Sequence, residues 1–267
     1  MDEPSGALPI SPTPSAEVTP QTAAELLPWW WALIQVILVS GVPTQIVIGA
    51  VVLVVHGVSL FDPDGVSASL EYLTSLEFFA VVSFLDTAVV ALLIRLFLAL
   101  NKEDPRDVFI GRRRPLGEIW RGLALVPVSF IGVVGIVAGL RALVPWLHNV
   151  AESPLEQFMR TPLDATIFLV VVILAGGVRE EMQRAFVLHR FEQRLGGIYV
   201  GLGVFSLMFG ILHFDQGFDV ALAVGLLGLM WGIFYIRRRS AVMAMTNHMG
   251  FNGLQVAQVL IARTLGM

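Results

Sequence analysis

The sequence predicts an all-α fold: a polytopic transmembrane helical bundle of about seven to eight membrane helices. Three observations predict it. The chain is 56% hydrophobic and only 14% charged, with a mean hydropathy of +0.77, whereas a soluble domain is about 25% charged. Apolar runs long enough to span a bilayer recur between residues 29 and 263. Arginines gather on alternate connections between those runs, as the positive-inside rule requires of a membrane protein. The formal net charge of −4 decides little, because in a bilayer the position of a charge matters more than the sum. The chain has no cysteine, which excludes disulfides, thiolate metal ligands and a cysteine nucleophile.

Residues 1–27 are rich in Pro, Ser, Thr, Ala and Glu and carry no Lys or Arg, which predicts a disordered N-terminal tail and no secretory signal. Pro28-Trp29-Trp30-Trp31 follows as an interfacial anchor. N-terminal membrane helices are expected over 28–163, and a second helical unit over 164–267. The apolar runs lie at about 29–55, 78–100, 119–145, 164–191, 198–215, 219–236 and 240–263. Gly41 and Pro43 interrupt the first, so it is expected to kink or split.

Lys102, Arg106, Arg112, Arg113 and Arg114, then Arg190 and Arg194, then Arg237, Arg238 and Arg239 fall on one side if the helices alternate. That side is expected to be cytoplasmic, with the amino terminus on it. Asp62, Asp64, Glu71, Glu77, Glu152 and Glu156 fall on the other. Arg95 and Arg141, near helix ends, are expected to snorkel. Asp86, deeper in the second run, has no partner visible in the sequence.

Three polar clusters interrupt the last apolar runs: Glu180-Glu181-Met182-Gln183-Arg184, Phe209 to His213, and His248 to Asn252. An ionisable group at the centre of a membrane helix costs about 2.5–3.5 kcal/mol on insertion scales, so it is kept where it pairs or works. Glu180 and Arg184 are four apart and can pair on one helix face. Glu181 projects about 100° away, which gives the two carboxylates different surroundings. A carboxylate in a confined pocket can serve as general base. His248 and Asn252, also four apart, can both donate to a developing oxyanion or both ligate an ion. Glu180, His213 and His248 are the candidate metal ligands, and a mixed O/N zinc site and a metal-free water are equally compatible with them. Taken singly, each cluster also reads as a helix-end salt bridge, a packing histidine or an interhelical hydrogen bond.

Together the order Glu-Glu with a following Arg, Phe-x-x-x-His, and His-x-x-x-Asn resembles the CPBP family of intramembrane proteases, over about residues 164 to 263. That family includes the CAAX prenyl endopeptidases and bacterial Abi-like relatives tied to bacteriocin processing and immunity. The resemblance implies an intramembrane endopeptidase in a bacterial inner (plasma) membrane, acting on a membrane protein or peptide, with the bilayer and no nucleic acid as its setting. Glu180 with His213 would activate a water, His248 and Asn252 would stabilise the oxyanion, and Glu181 and Arg184 would support them. One departure stands out. The family spaces its first motif Glu-Glu-x-x-x-Arg, one residue longer than here, so that anchoring on Arg184 puts Arg179 where the first Glu belongs. Arg179 is expected either to snorkel or to pair with a carboxylate. The alternative function is a catalytically inactive scaffold, or a transporter-like protein that uses these polar groups as packing glue. Counted from the basic side, His213 lies some fifteen residues into its run and His248 about eight, so a shared site requires helices that tilt or break.

Overall fold

A computed structural model describes residues 27–57, 71–151 and 154–265. The described residues form helices joined by short connections, with no strand among them. Residues 1–26 of the tail expected over 1–27, and the acidic positions Asp62, Asp64 and Glu152, lie outside them. The helices are α1 (Trp29–Val39), α2 (Val42–Val55), α3 (Leu76–Leu100), a short α4 (Pro105–Phe109), α5 (Pro115–Leu143), α6 (Pro162–Val171), α7 (Glu180–Arg194), α8 (Ile198–Ile211), α9 (Phe218–Arg238) and α10 (Val242–Thr264). A π-helical stretch, Val172–Arg179, joins α6 to α7.

Each predicted apolar run is a helix, but fewer of them have the length and apolarity of a membrane span. Among the described residues four qualify, or up to five if the bent pair α1–α2 counts as one. The predicted fifth run shortens to the 14 residues of α8, which ends before His213. Helix α10 is 23 residues long but carries Asn247, His248, Asn252, Gln255 and Gln258, and falls short in hydropathy. The first run breaks where expected: α1 and α2 meet at 43°, with Gly41 at φ +85° in the left-handed region that glycine adopts without strain.

The distribution of side chains is that of a bilayer protein. Val47, Val54, Leu92, Val128, Ile131 and Leu207 face outward, whereas Asp86, Glu118, Glu181, Arg184, Arg190, Asp219 and His248 are buried. Nothing in hydrocarbon penalises an outward Leu or Val, and nothing there can hydrogen-bond an outward Asp. Trp29 and Trp30 are exposed at the start of α1, as an interfacial anchor should be.

The basic segments meet at one end. Arg238 chelates the buried Glu118 carboxylate at 3.0 and 2.6 Å, and Arg239 pairs with Glu192 at 2.5 Å. The Ala241 amide donates to the Phe109 carbonyl, and the Arg194 guanidinium to the Leu27 carbonyl. At the opposite end, the half-exposed Arg141 also finds a carboxylate. It pairs with buried Asp219 at 2.7 Å, beside His148 at 3.2 Å, because the α9 carboxylate lies within reach of the α5 terminus.

At the basic end, Glu103 accepts from His189 and Arg190, each at 3.0 Å, and from Gln193 at 2.5 Å. Burial alone would raise the pKa of its carboxyl, but these bonds and the Arg190 charge bring it down to about 2. A carboxyl that binds its proton more weakly in the folded than in the unfolded state stabilises the fold above its unfolded pKa, near 4.5, and loses that contribution as pH falls toward 2. Thermal unfolding in detergent should therefore lose stability between about pH 4.5 and 2, and Glu103→Gln should flatten that part of the profile. An unchanged profile would mean that the Glu103 cluster contributes nothing to stability.

Candidate active site

The site forms where the π stretch, α7, α8, α9 and α10 converge. Its geometry begins with Gly176 and Gly177. A Cβ on Gly177 would sit 2.2 Å from the Met249 side chain and 3.1 Å from its backbone, and one on Gly176 would sit 2.6 Å from the Asn252 amide nitrogen. Without those side chains the π stretch lies directly on α10. Short π-helical insertions are frequent at functional sites, because the extra residue per turn re-aims the side chains of the next turn. In this chain the next turn carries Glu180 and Glu181.

The two carboxylates part company as expected, but the pairing differs from the i,i+4 pair anticipated between Glu180 and Arg184. Arg184 binds Glu181, three residues back, and both side chains are 1% exposed. Glu181 also accepts His248 Nδ1 at 2.9 Å, so one buried carboxylate joins α7 to α10. Glu180, on the next position, is 20% exposed and is left facing His248 Nε2 from 3.9 Å. That gap is too long for a direct hydrogen bond and is one that a bridging water spans.

The remaining Arg184 nitrogens, Nε and Nη2, have no hydrogen-bond partner among the described residues. The guanidinium carbon lies 4.9, 5.0 and 5.5 Å from the ring centroids of Phe205, Phe209 and Trp231, so aromatic faces receive the charge instead. Trp231 stacks on His248 at 3.7 Å and 15° and donates its indole N–H to Asn247 at 2.8 Å. Asn247 also accepts from Ser129 at 2.9 Å and donates to the Gly122 carbonyl at 3.1 Å, which fixes α10 against α5.

His213 caps α8 rather than sitting inside a long helix. Its Nδ1 lies 2.7 Å from the Phe209 carbonyl. A carbonyl only accepts, so Nδ1 carries the proton and Nε2 presents its lone pair. The Phe209 ring lies 4.8 Å from the His213 ring and 6.2 Å from the His248 ring, so both imidazoles pack against it. Asn252 stays one turn beyond His248, as its spacing requires, and donates to the Val172 carbonyl of the π stretch at 2.9 Å.

The depth mismatch resolves in physical terms. Glu192 pairs with Arg239 and provides a common level. Eleven residues back from Glu192 to Glu181 is about 16 Å of helix, and nine residues forward from Arg239 to His248 is about 13 Å. His213 lies deeper, past the end of α8, and its hydrogen bond to the Phe209 carbonyl turns the ring back over the last turn of that helix.

Arg179 takes the second of its two expected courses, with a carboxylate that the sequence left unassigned: Nη1 binds Asp86 of α3 at 2.6 Å, while Nη2 stands 3.5 Å from Glu180. Sequence reasoning thus missed Asp86, Asn247 and Trp231 as parts of this neighbourhood. Asp86 had one available signal, a carboxylate deep in a spanning helix. The candidate zinc ligands Glu180, His213 and His248 do not converge: among the described residues no three His, Asp or Glu side chains could hold a metal ion together. Glu181, the carboxylate nearest His248, is already held by a guanidinium that would repel a cation. The donor set does not fit a three-ligand zinc centre.

No curated protein and no solved structure matches the chain. One family model does, that of Rce1-like proteins, the type II CAAX prenyl endopeptidases, and it matches residues 162–254. The matched segment begins at α6 and ends two residues past Asn252, so it contains all three polar clusters and the π stretch that aims the first of them. The matched segment is similar to the CPBP/CAAX protease family that those motifs suggest.

Proposed function

We propose that this protein is an integral membrane endopeptidase that hydrolyses a peptide bond in or beside the bilayer, with a water activated by Glu180. The observation that supports this most is the opposition of Glu180 and His248 Nε2 across 3.9 Å, beside an ion pair that holds His248 in place. Water bound there donates to Glu180; by the family resemblance His213 would be its second acceptor, which requires the ring to swing from the Phe209 carbonyl toward Glu180 when substrate binds. As the oxygen attacks the carbonyl carbon, Glu180 takes the proton. The tetrahedral oxyanion receives the Nε2–H of His248 in its imidazolium form, whose Nδ1–H stays on Glu181, and the second amide hydrogen of Asn252. Collapse breaks the C–N bond, and the proton on Glu180 passes to the departing amine. No step is routed through a metal.

By the family's description, the substrate class is a prenylated CAAX-type peptide or protein, presented from the basic end, which we take as the cytoplasmic side. The test is cleavage of a fluorogenic prenylated CAAX peptide by the purified protein in proteoliposomes. Cleavage by the parent, reduced about 100-fold or more in His213→Ala, is the expected result. A parent that cleaves nothing favours the scaffold reading. Elemental analysis of protein purified without added metal decides the metal question. One zinc per chain, lost in His213→Ala with His248→Ala, would replace the metal-free mechanism.

A further inference from the structure

Asp86 lies in α3, outside the segment that matches the family, and is fully buried. It is far from idle. Its Oδ2 receives Arg179 Nη1 at 2.6 Å and Gln45 Nε2 at 3.1 Å, and its Oδ1 receives the Thr44 hydroxyl. Thr44 and Gln45 are brought there by the break between α1 and α2. That break is itself clamped to α7 by Gln183, which donates to the Val39 carbonyl at 2.6 Å. Gly41 leaves the space that the guanidinium uses: a Cβ there would stand 2.9 Å from Arg179 Nη1 and 3.4 Å from Asp86 Oδ2.

A charge count around the site shows what this arrangement does. Three carboxylates, Asp86, Glu180 and Glu181, face two guanidiniums, those of Arg179 and Arg184. Arg184 is committed to Glu181. Arg179 stands between Asp86 at 2.6 Å and Glu180 at 3.5 Å, so the closer, fully buried carboxylate holds it. Without Asp86, the same guanidinium would have Glu180 as its remaining carboxylate, and burial would make that pair strong.

We propose that Asp86 is a positioning residue of the site: it anchors the Arg179 guanidinium at 2.6 Å and so keeps its contact with Glu180 at the longer 3.5 Å, which leaves Glu180 only partly neutralised and free to engage water. This rests on the protease reading for its consequence in catalysis, though not for the pairing itself. It also gives the departure at Arg179 a physical resolution. An arginine placed where the family has its first glutamate is neutralised by an aspartate from another helix.

Asp86→Asn keeps the shape and removes the charge that competes for Arg179. Cleavage of the prenylated CAAX peptide should fall about tenfold or more, toward the 10²–10⁴-fold that a general base contributes. Adding Arg179→Gln removes the captured cation along with its lost partner, and should restore cleavage to within about threefold of the parent, since deleting both members of a buried pair is far less disruptive than deleting one. A purely structural pair would be rescued in the same way, but it would leave the surroundings of the Glu180 carboxylate unchanged. A second readout needs no turnover: the infrared carboxylate band of Glu180 in ¹³C-glutamate-labelled protein, assigned by its loss in Glu180→Gln. The band should move in Asp86→Asn and return in the double variant. An unmoved band, parent-level cleavage in Asp86→Asn, or a double variant as slow as the single overturns the proposal. If the parent cleaves nothing, the protease reading fails while the band still decides whether Asp86 keeps Arg179 from Glu180.

Discussion

Glu180→Gln is expected to lower peptide cleavage by about 10²–10⁴-fold, the range that a positioned general base supplies, with little change in thermal stability. The two outcomes separate because of where the side chain sits. Glu180 is 20% exposed and its contacts are the longer ones, 3.5 Å to Arg179 and 3.9 Å to His248, so an isosteric amide disturbs little packing. What it removes is the ability to take a proton from water. Kinetics in proteoliposomes and melting in detergent measure the two separately. Full cleavage by Glu180→Gln, with loss in Glu181→Gln, would show that the base is the buried carboxylate.

Arg184→Leu should have the largest effect on stability, a loss of about 3–5 kcal/mol, because it leaves the Glu181 carboxylate buried without its cation. His248 Nδ1 would remain as a partner at 2.9 Å but cannot replace the guanidinium. Combining Arg184→Leu with Glu181→Gln removes both charges and should recover most of that loss, while leaving cleavage low, since His248 would no longer be held by a carboxylate. Denaturation of the three variants in one detergent tests this. A single variant as stable as the parent would mean that the pair carries no net energy, and a double variant that cleaves like the parent would remove Glu181 from the mechanism.

Much of the molecule was legible in its amino acids. Apolar runs and clustered arginines are enough to predict helices and to place the basic segments on one end, because hydrocarbon imposes the same composition on any helix that faces it. Gly41 and Pro43 foretold the break between α1 and α2. Residues at i and i+4 share a helix face, so the juxtaposition of His248 with Asn252 followed from spacing alone. The number of spanning helices did not follow: a run of apolar letters does not show that α8 stops at Ile211, or that α10, lined with amides, packs against α5 and the π stretch.

Tertiary structure decided the partners. Local spacing favoured Glu180 with Arg184, but an i,i+3 pair is equally within reach on a helix, and Arg184 binds Glu181, the carboxylate buried against His248 of α10. Asp86 and Arg179 are 93 residues apart, a separation at which nothing in either neighbourhood reveals the other. Helix periodicity determines which face a side chain occupies. Which carboxylate holds which guanidinium depends on how the helices cross, and so only the folded bundle shows that Glu180 has the longest of the three cation contacts, 3.5 Å to a guanidinium that Asp86 holds at 2.6 Å.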